Sequence, residues 1–297
     1  MKPAPFAYVR PATLDDAIAE LVATGGDGKV LAGGQSLVPV LAMRLGRPGT
    51  LVDITGAAGL DTIERRGAVL RVGATTRQRR LERSPAAADV PLLGLALPFV
   101  GHRELRSRGT VCGSLAHADP GAELPAVASC LGAVLEVTGP SGRRLVPAAE
   151  FFQGAMTTVV GAEEVLSAVE FPVAVPGEGF GFAEIARRHG DFALAGVVTR
   201  VRSAGGAVAQ AAISGFGVSD RAVTRDVTAL VRSAAGSAAG GAGLEDTLRP
   251  GTEELARDVV DTSGDAHGSN GYRRRLFAVL AARELARAYR RSTEGQS

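Results

Sequence analysis

Two short runs of small residues, Ala32-Gly33-Gly34-Gln35-Ser36 and Cys112-Gly113-Ser114, have the composition of an anion-binding backbone. The second lies within Arg106–Pro120, where the β-branched Thr110-Val111 gives way to Cys112-Gly113-Ser114, which reads as a turn. Asp119-Pro120 then reads as a helix start, with Asp as N-cap and Pro in the first turn. A turn without bulky side chains lets backbone N–H groups approach an anion, and a nearby helix N-terminus adds a favourable dipole. The first run follows Lys29-Val30-Leu31, a short apolar strand feeding a turn. Either run alone is a weak signal. Together they predict a diphosphate held between two loops.

Other chemistries find little support. The four histidines, His102, His117, His189 and His267, are scattered and show no metal-ligand spacing. The two cysteines, Cys112 and Cys130, are too few for a zinc or iron–sulfur site within this chain. No Gly-x-Ser-x-Gly, P-loop or Rossmann glycine fingerprint is present, and the first glycine turn follows the second strand rather than the first. The chain offers turns that hold a cofactor more convincingly than it offers a nucleophile.

The stretches RSRGTVCGSLAHADPGAELPA and KVLAGGQSLVP resemble the FAD-binding middle subunit of molybdenum hydroxylases, from about Phe6 to about Arg287. This family includes the flavoproteins of carbon monoxide dehydrogenase and of xanthine dehydrogenase. The resemblance implies an α+β chain: a p-cresol methylhydroxylase-like FAD-binding fold of two α/β subdomains, 1–58 and 59–174. A C-terminal domain at 178–290, an antiparallel sheet with helices, would follow. It also implies an oxidoreductase subunit with non-covalent FAD, relaying electrons from partner iron–sulfur clusters to NAD or another acceptor. [2Fe-2S] clusters and molybdopterin would reside only on a small and a large partner subunit, in a dimer of heterotrimers. The implied cofactor contacts are Lys29, Ala32, Gly33, Gly34, Gln35, Ser36 and Leu37 from the first stretch, and Thr110, Val111, Cys112, Gly113, Ser114 and His117 from the second. Glu123, Leu166, Asp191 and Phe192 complete the set, with Phe192 covering the isoalloxazine. His117 is alternatively a capping residue, Glu123 a helix-dipole acid and Phe192 a core aromatic. No catalytic residue and no metal ligand is assigned. A stand-alone flavoenzyme using His117 or His189, or a non-catalytic binding subunit, would share the same motifs. Two departures stand out: Gln35 replaces a His found in several relatives, and Glu184 falls near a Lys found in some.

The elements that must position these residues follow from periodicity. Tyr8–Pro11 reads as a strand, Thr13 caps a helix to about Leu21, and Lys29–Ala32 and Leu51–Ile54 are strands. Ala68–Gly73 is a strand, Thr76–Glu82 and Ala122–Leu131 are helices, and Ala133–Thr138 with Arg143–Val146 form a hairpin. Val165–Phe171 is a strand, and Pro172–Gly179 marks a boundary. Beyond it come strands Val197–Arg202 and Val208–Ile213, helices Arg221–Ala235 and Thr252–Asp261 around a Gly/Ala-rich loop, and a last helix Tyr272–Tyr289. Aromatic residues make up only 4% of the chain and Trp is absent, so Ala, Val and Leu must fill the cores. Lys occurs only at positions 2 and 29, leaving Arg to carry the cations at a net charge of +2. The Arg77, Arg79, Arg80 and Arg273–Arg275 clusters therefore read as solvated or subunit-facing surface, not a nucleic-acid footprint. With no apolar run of about 18 residues and no apolar signal core in MKPAPFAYVRP, a cytoplasmic protein without a membrane span is expected.

Gln35 lacks an imidazole, so FAD should be held without a covalent bond. Acid precipitation of the loaded protein is expected to release all flavin absorbance into the supernatant, and yellow colour in the pellet would refute this.

Overall fold

Thr13 sets the first helix. Its hydroxyl accepts the Asp16 N–H at 3.1 Å, starting α1 (Leu14–Ala23), which buries Ala17, Ile18 and Leu21. That face packs on a parallel sheet of β1 (Ala7–Val9), β2 (Gly28–Leu31) and β3 (Thr50–Asp53), in the order β1-β3-β2. A short helix α2 (Leu37–Ala42) links β2 towards β3. The structure, a computed structural model, describes residues 2–237 and 243–294.

A five-stranded antiparallel sheet follows, ordered β4-β5-β10-β6-β7: β4 (Ile63–Arg66), β5 (Val69–Gly73), β6 (Val134–Gly139), β7 (Gly142–Pro147) and β10 (Val165–Pro172). Between β5 and β6 the chain inserts α3 (Gln78–Glu82), α4 (Pro91–Ala96), α5 (Arg103–Arg108), α6 (Val111–His117) and α7 (Glu123–Leu131). After β7 come α8 (Ala148–Phe151) and a small hairpin, β8 (Phe152–Gly154) with β9 (Thr157–Thr158). The third sheet is an antiparallel meander of β11 (Glu178–Ile185), β12 (Ala195–Ala204), β13 (Ala207–Phe216) and β14 (Val223–Asp226). Helices α9 (Thr228–Ser237), α10 (Leu244–Val259) and α11 (Asn270–Glu294) and a tiny hairpin, β15 (Gly264–Asp265) with β16 (Gly268–Ser269), complete the chain. Helix α11 lies close on β11 because Gly179 and Gly181 leave no Cβ: one at Gly181 would stand 2.6 Å from the Glu284 carbonyl oxygen.

Helix α7 joins the second and third sheets. Leu124, Ala126, Val127 and Ala128 are fully buried, and their core cluster includes Phe180, Phe182, Val198 and Phe216 from the third sheet. A helix apolar on all sides has no solvent face and must be enclosed.

Several expectations are corrected. Cys112-Gly113-Ser114 is not a turn but the first turn of α6, and the helix after it begins at Glu123 rather than at Asp119. Asp119 instead folds the loop, its Oδ1 accepting the Gly121 N–H at 2.8 Å. The expected Arg221–Ala235 helix splits. Val223–Asp226 pairs as a strand with β13, and Asp226 Oδ1 accepts the Thr228 N–H at 2.8 Å to start α9. Helix α10 begins eight residues earlier than Thr252, running through Pro250 because Leu244, Leu248, Thr252, Ala256 and Val259 share its buried face. The Gly/Ala-rich loop expected at Gly236–Gly243 lies largely outside the described residues. Arg273 is not surface: it is 6% exposed, donating to the carbonyls of Leu194 (2.8 Å) and Gly217 (2.7 Å) and to Asp265 (2.7 Å).

Arg106 is a second buried arginine. Its guanidinium donates to both carboxylate oxygens of Glu82 (3.0 and 3.2 Å) and to the carbonyls of Val100 and Gly101. Burial would push the Glu82 carboxyl up, but hydrogen bonds from Arg106 and Arg79 outweigh it and hold the group below the usual carboxylate range. Arg106→Met leaves two carbonyls without their donor and Glu82 with Arg79 alone, and should cost about 3 kcal/mol at pH 7 in denaturant unfolding. A lowered carboxyl gives stability above its ordinary titration range and loses it as pH falls. The gap between wild type and variant should therefore shrink below about pH 4.

Candidate cofactor-binding site

The chain leaves β2 at Leu31 and turns through Ala32–Ser36, with Gly34 at φ +72°, where a side chain would be strained. Gln35 closes the turn, its Nε2 donating to the Gly33 carbonyl at 3.0 Å, and the Val38 N–H reaches the Gly34 carbonyl at 3.0 Å as α2 begins. Among the described residues, the backbone N–H groups of Gly33, Gly34, Gln35 and Ser36 find no acceptor. All four residues are half-buried. Four consecutive N–H groups without partners form a concave cluster of positive dipole suited to an anion.

The second stretch is arranged differently. Thr110 caps α6, and its Oγ1 accepts the Gly113 N–H at 3.0 Å. The Val111 N–H donates to the Thr76 carbonyl at 3.0 Å and the Ser114 N–H to the Thr110 carbonyl at 3.2 Å. Three amides expected to face a ligand are thus already engaged, leaving the Thr110 N–H and the Ser114 hydroxyl without partners among the described residues. The Cys112 side chain points into the core, its thiol 3.6 Å from the Val72 carbonyl, and burial pushes it up to about 12. Such a thiol stays protonated and has no nucleophilic role.

The two stretches touch. A Cβ on Gly33 would stand 2.5 Å from the Arg108 carbonyl oxygen, 2.8 Å from Gly109 Cα and 3.0 Å from the Thr110 nitrogen. The second loop is tied from behind: the Gln78 N–H donates to the Gly109 carbonyl at 2.9 Å, and Arg77 pairs with Thr110 and donates to the Arg108 carbonyl.

Phe192 lies at the far end of the α6–α7 loop. It is 61% exposed, and its Cβ and Cδ1 stand 3.2 and 3.5 Å from where a Gly121 Cβ would be. It is therefore not a core aromatic. Its segment is steadied by the Asp191 N–H on the Arg188 carbonyl and by His189, whose ring meets those of Phe99 (6.1 Å) and His102 (6.3 Å). His117, half-buried, ends α6 just before Ala118 at φ +51°. Glu123 begins α7 but is only 4% exposed. Burial pushes its carboxyl up to about 7 against a hydrogen bond from its own N–H, with Asp119 adding to the rise. Leu166 is buried in β10 at a register shift, and Lys29 is exposed on β2, with no hydrogen bond or ion pair among the described residues. Leu37 opens α2. Thr76, Gln78, Arg106 and Arg273 position the site, a role the sequence reading assigned to none of them. Their only signal is tertiary.

A backbone loop with four free N–H groups, seated against a capped helix, suits the anionic part of a nucleotide cofactor. Residues 4–174 match the family described as "FAD binding domain in molybdopterin dehydrogenase", and residues 180–288 match the "CO dehydrogenase flavoprotein C-terminal domain". The carbon monoxide dehydrogenase medium chain of Afipia carboxidovorans is 33% identical over 98% of this chain and 99% of its own length. Carbon monoxide dehydrogenase from Hydrogenophaga pseudoflava contains a chain that superposes with a TM-score of 0.87 at 30% identity, over 98% of this chain and 99% of that one. A chain of quinoline 2-oxidoreductase from Pseudomonas putida 86 aligns along the full length of both, with a TM-score of 0.82 and 32% identity. The chain belongs to the FAD-binding medium-subunit family of molybdenum-containing dehydrogenases and hydroxylases.

Gly33 is the residue at which the site is most exposed to substitution. Gly33→Val should force the two loops apart and reduce FAD content of the purified protein at least tenfold while far-UV circular dichroism stays native. Full flavin occupancy would show that the loop contact is dispensable.

Proposed function

We propose that this chain is the flavin relay of a three-subunit molybdenum enzyme, passing electrons from a partner's iron–sulfur clusters to NAD or another acceptor. The observation that carries it is the row of partnerless N–H groups from Gly33 to Ser36 beside the backbone of Arg108–Thr110. Those donors, with the Ser36 and Ser114 hydroxyls and the Thr110 N–H, fit an FAD pyrophosphate lying between subdomains 1–58 and 59–174. FAD, when bound, supplies two-electron acceptance together with one-electron steps, a chemistry no side chain here offers.

The protein's own part is placement. Ala32–Leu37 and Thr110–Ser114 fix the phosphates, the Leu166 backbone and Lys29 line the approach, and His117, Glu123 and Asp191 border the ring end. Phe192, from domain 178–290, covers the ring. Substrate oxidation then belongs to a molybdopterin large subunit, and an iron–sulfur small subunit connects the two in a dimer of heterotrimers. The free, buried thiols of Cys112 and Cys130 fit a reducing compartment, the cytoplasm.

Isolated and loaded with FAD, the chain should be reduced by dithionite yet show no turnover with aldehydes or N-heterocycles. Activity should appear on adding the iron–sulfur and molybdenum partners, and turnover by the chain alone at the complex's rate would favour a stand-alone flavoenzyme. Phe192→Ala should speed reoxidation of reduced FAD by oxygen several-fold in stopped-flow absorbance, with FAD affinity unchanged. Lost affinity without faster reoxidation would make Phe192 a packing residue.

A further inference from the structure

Beside the contact of the two loops stands a cation that the fold leaves without a counter-charge. Of the cluster Arg77, Arg79 and Arg80, Arg79 meets Glu82 at 2.9 Å and Arg80 meets Asp61. Arg77 is half-buried rather than on the surface, and it meets no carboxylate among the described residues. Its backbone pairs with Thr110 behind the second loop, while its side chain comes round so that Nη1 donates to the Arg108 carbonyl. That oxygen is also the atom that faces Gly33, 2.5 Å from where a Cβ would stand. One backbone oxygen therefore touches the Arg77 guanidinium and abuts the first of the four residues with free amides. The Nε and Nη2 donors of Arg77 find no acceptor among the described residues.

The charge around Arg77 is out of balance. Asp61 and Asp53 are the acids whose fields reach it, and each has partners of its own. Asp61 has Arg80, and Asp53 accepts from the Tyr8 hydroxyl at 2.5 Å and the Thr55 hydroxyl at 2.7 Å, with Arg10 at 3.9 Å. Arg108, exposed and likewise unpaired with any carboxylate among the described residues, adds a second positive charge. Burial, then the charge of Arg108, pulls Arg77 below the usual guanidinium range, in keeping with a cation enclosed beside another. Arg80 and Arg10 offset Asp61 and Asp53, so the charges of Arg77 and Arg108 remain. A diphosphate diester, with one negative charge on each phosphate, is an anion that these two would balance.

We propose that Arg77 is the cation of the diphosphate seat. Its free Nε and Nη2 donors take one phosphate oxygen while the Gly33–Ser36 amides take others, and Arg108 adds charge at the rim. This deepens the cofactor placement proposed above and rests on it. The amides supply fixed partial charges and set the position of the anion, whereas the guanidinium supplies a full charge through paired donors.

FAD titrations of the FAD-free full chain, followed by flavin fluorescence at ~0.05 M and ~0.5 M salt, test this. Arg77→Gln should raise the dissociation constant about tenfold at the lower salt and by a smaller factor at the higher, because salt screens a charge that the variant lacks. Arg77→Lys keeps the charge and should stay within about threefold of wild type. Arg108→Gln removes a side chain with no partner among the described residues, so the fold keeps its contacts, and it should show a smaller rise with the same salt trend. Melting curves report whether each variant folds. An equal loss of affinity at both salt concentrations would make Arg77 only a strap on the Arg108 carbonyl and overturn the proposal, as would wild-type affinity in Arg77→Gln. Gly33→Val separates this from the placement itself. FAD lost in Gly33→Val but held normally by Arg77→Gln refutes the role of Arg77 alone, whereas FAD kept by Gly33→Val refutes the seat.

Discussion

The approach of Gly33 to the backbone of Arg108, Gly109 and Thr110 is the contact on which the site depends. Backbone lies against backbone there, with no side chain able to yield, so the spacing of the two loops is fixed by covalent geometry rather than by adjustable packing. Everything around the contact defends it. Arg77 and Gln78 hold the Arg108–Thr110 strip from behind, Thr76 takes the Val111 N–H, and Arg106 clamps α5 to α3 and to the Val100–Gly101 turn.

A division of labour follows from that anchoring. The second stretch uses its amides to start and cap α6, so it acts as a rigid wall. The first keeps four amides in reserve, free to meet an anion. A donor aligned in advance costs no reorganisation when a ligand arrives, whereas a donor already bonded would have to break its bond first. Loops of similar composition can therefore have opposite roles.

The third sheet reaches the site through α7 and through Arg273. Helix α7 is enclosed by both sheets, and Arg273 fixes the carbonyl of Leu194, which closes the Phe192 loop, and that of Gly217, which lies against Ala193. An exposed aromatic on a loop held at its base is free to move at its tip while staying aimed at one place. Buried acids that brace the fold are matched by arginines, as Glu82 is by Arg106 and Glu178 by Arg200.

The sequence by itself determined the local elements whose causes are local. Thr13 with Asp16, the apolar run of β10 ending at Pro172 and the hairpin around Gly139–Gly142 are all legible from neighbours in the chain. So were the two glycine stretches, because small residues advertise close approach. It misread Cys112-Gly113-Ser114, since the signal that makes it helical is the Thr110 cap, and small residues suit a turn equally well. It missed β14 because Val223–Asp226 is a strand only by pairing with β13 at Ala212–Gly215, across a turn. Only the tertiary structure decided which amides are free, that Arg273 is buried, and that Glu123 is enclosed at the start of α7. Each of these depends on which distant segment arrives alongside, and spacing along the chain does not encode that.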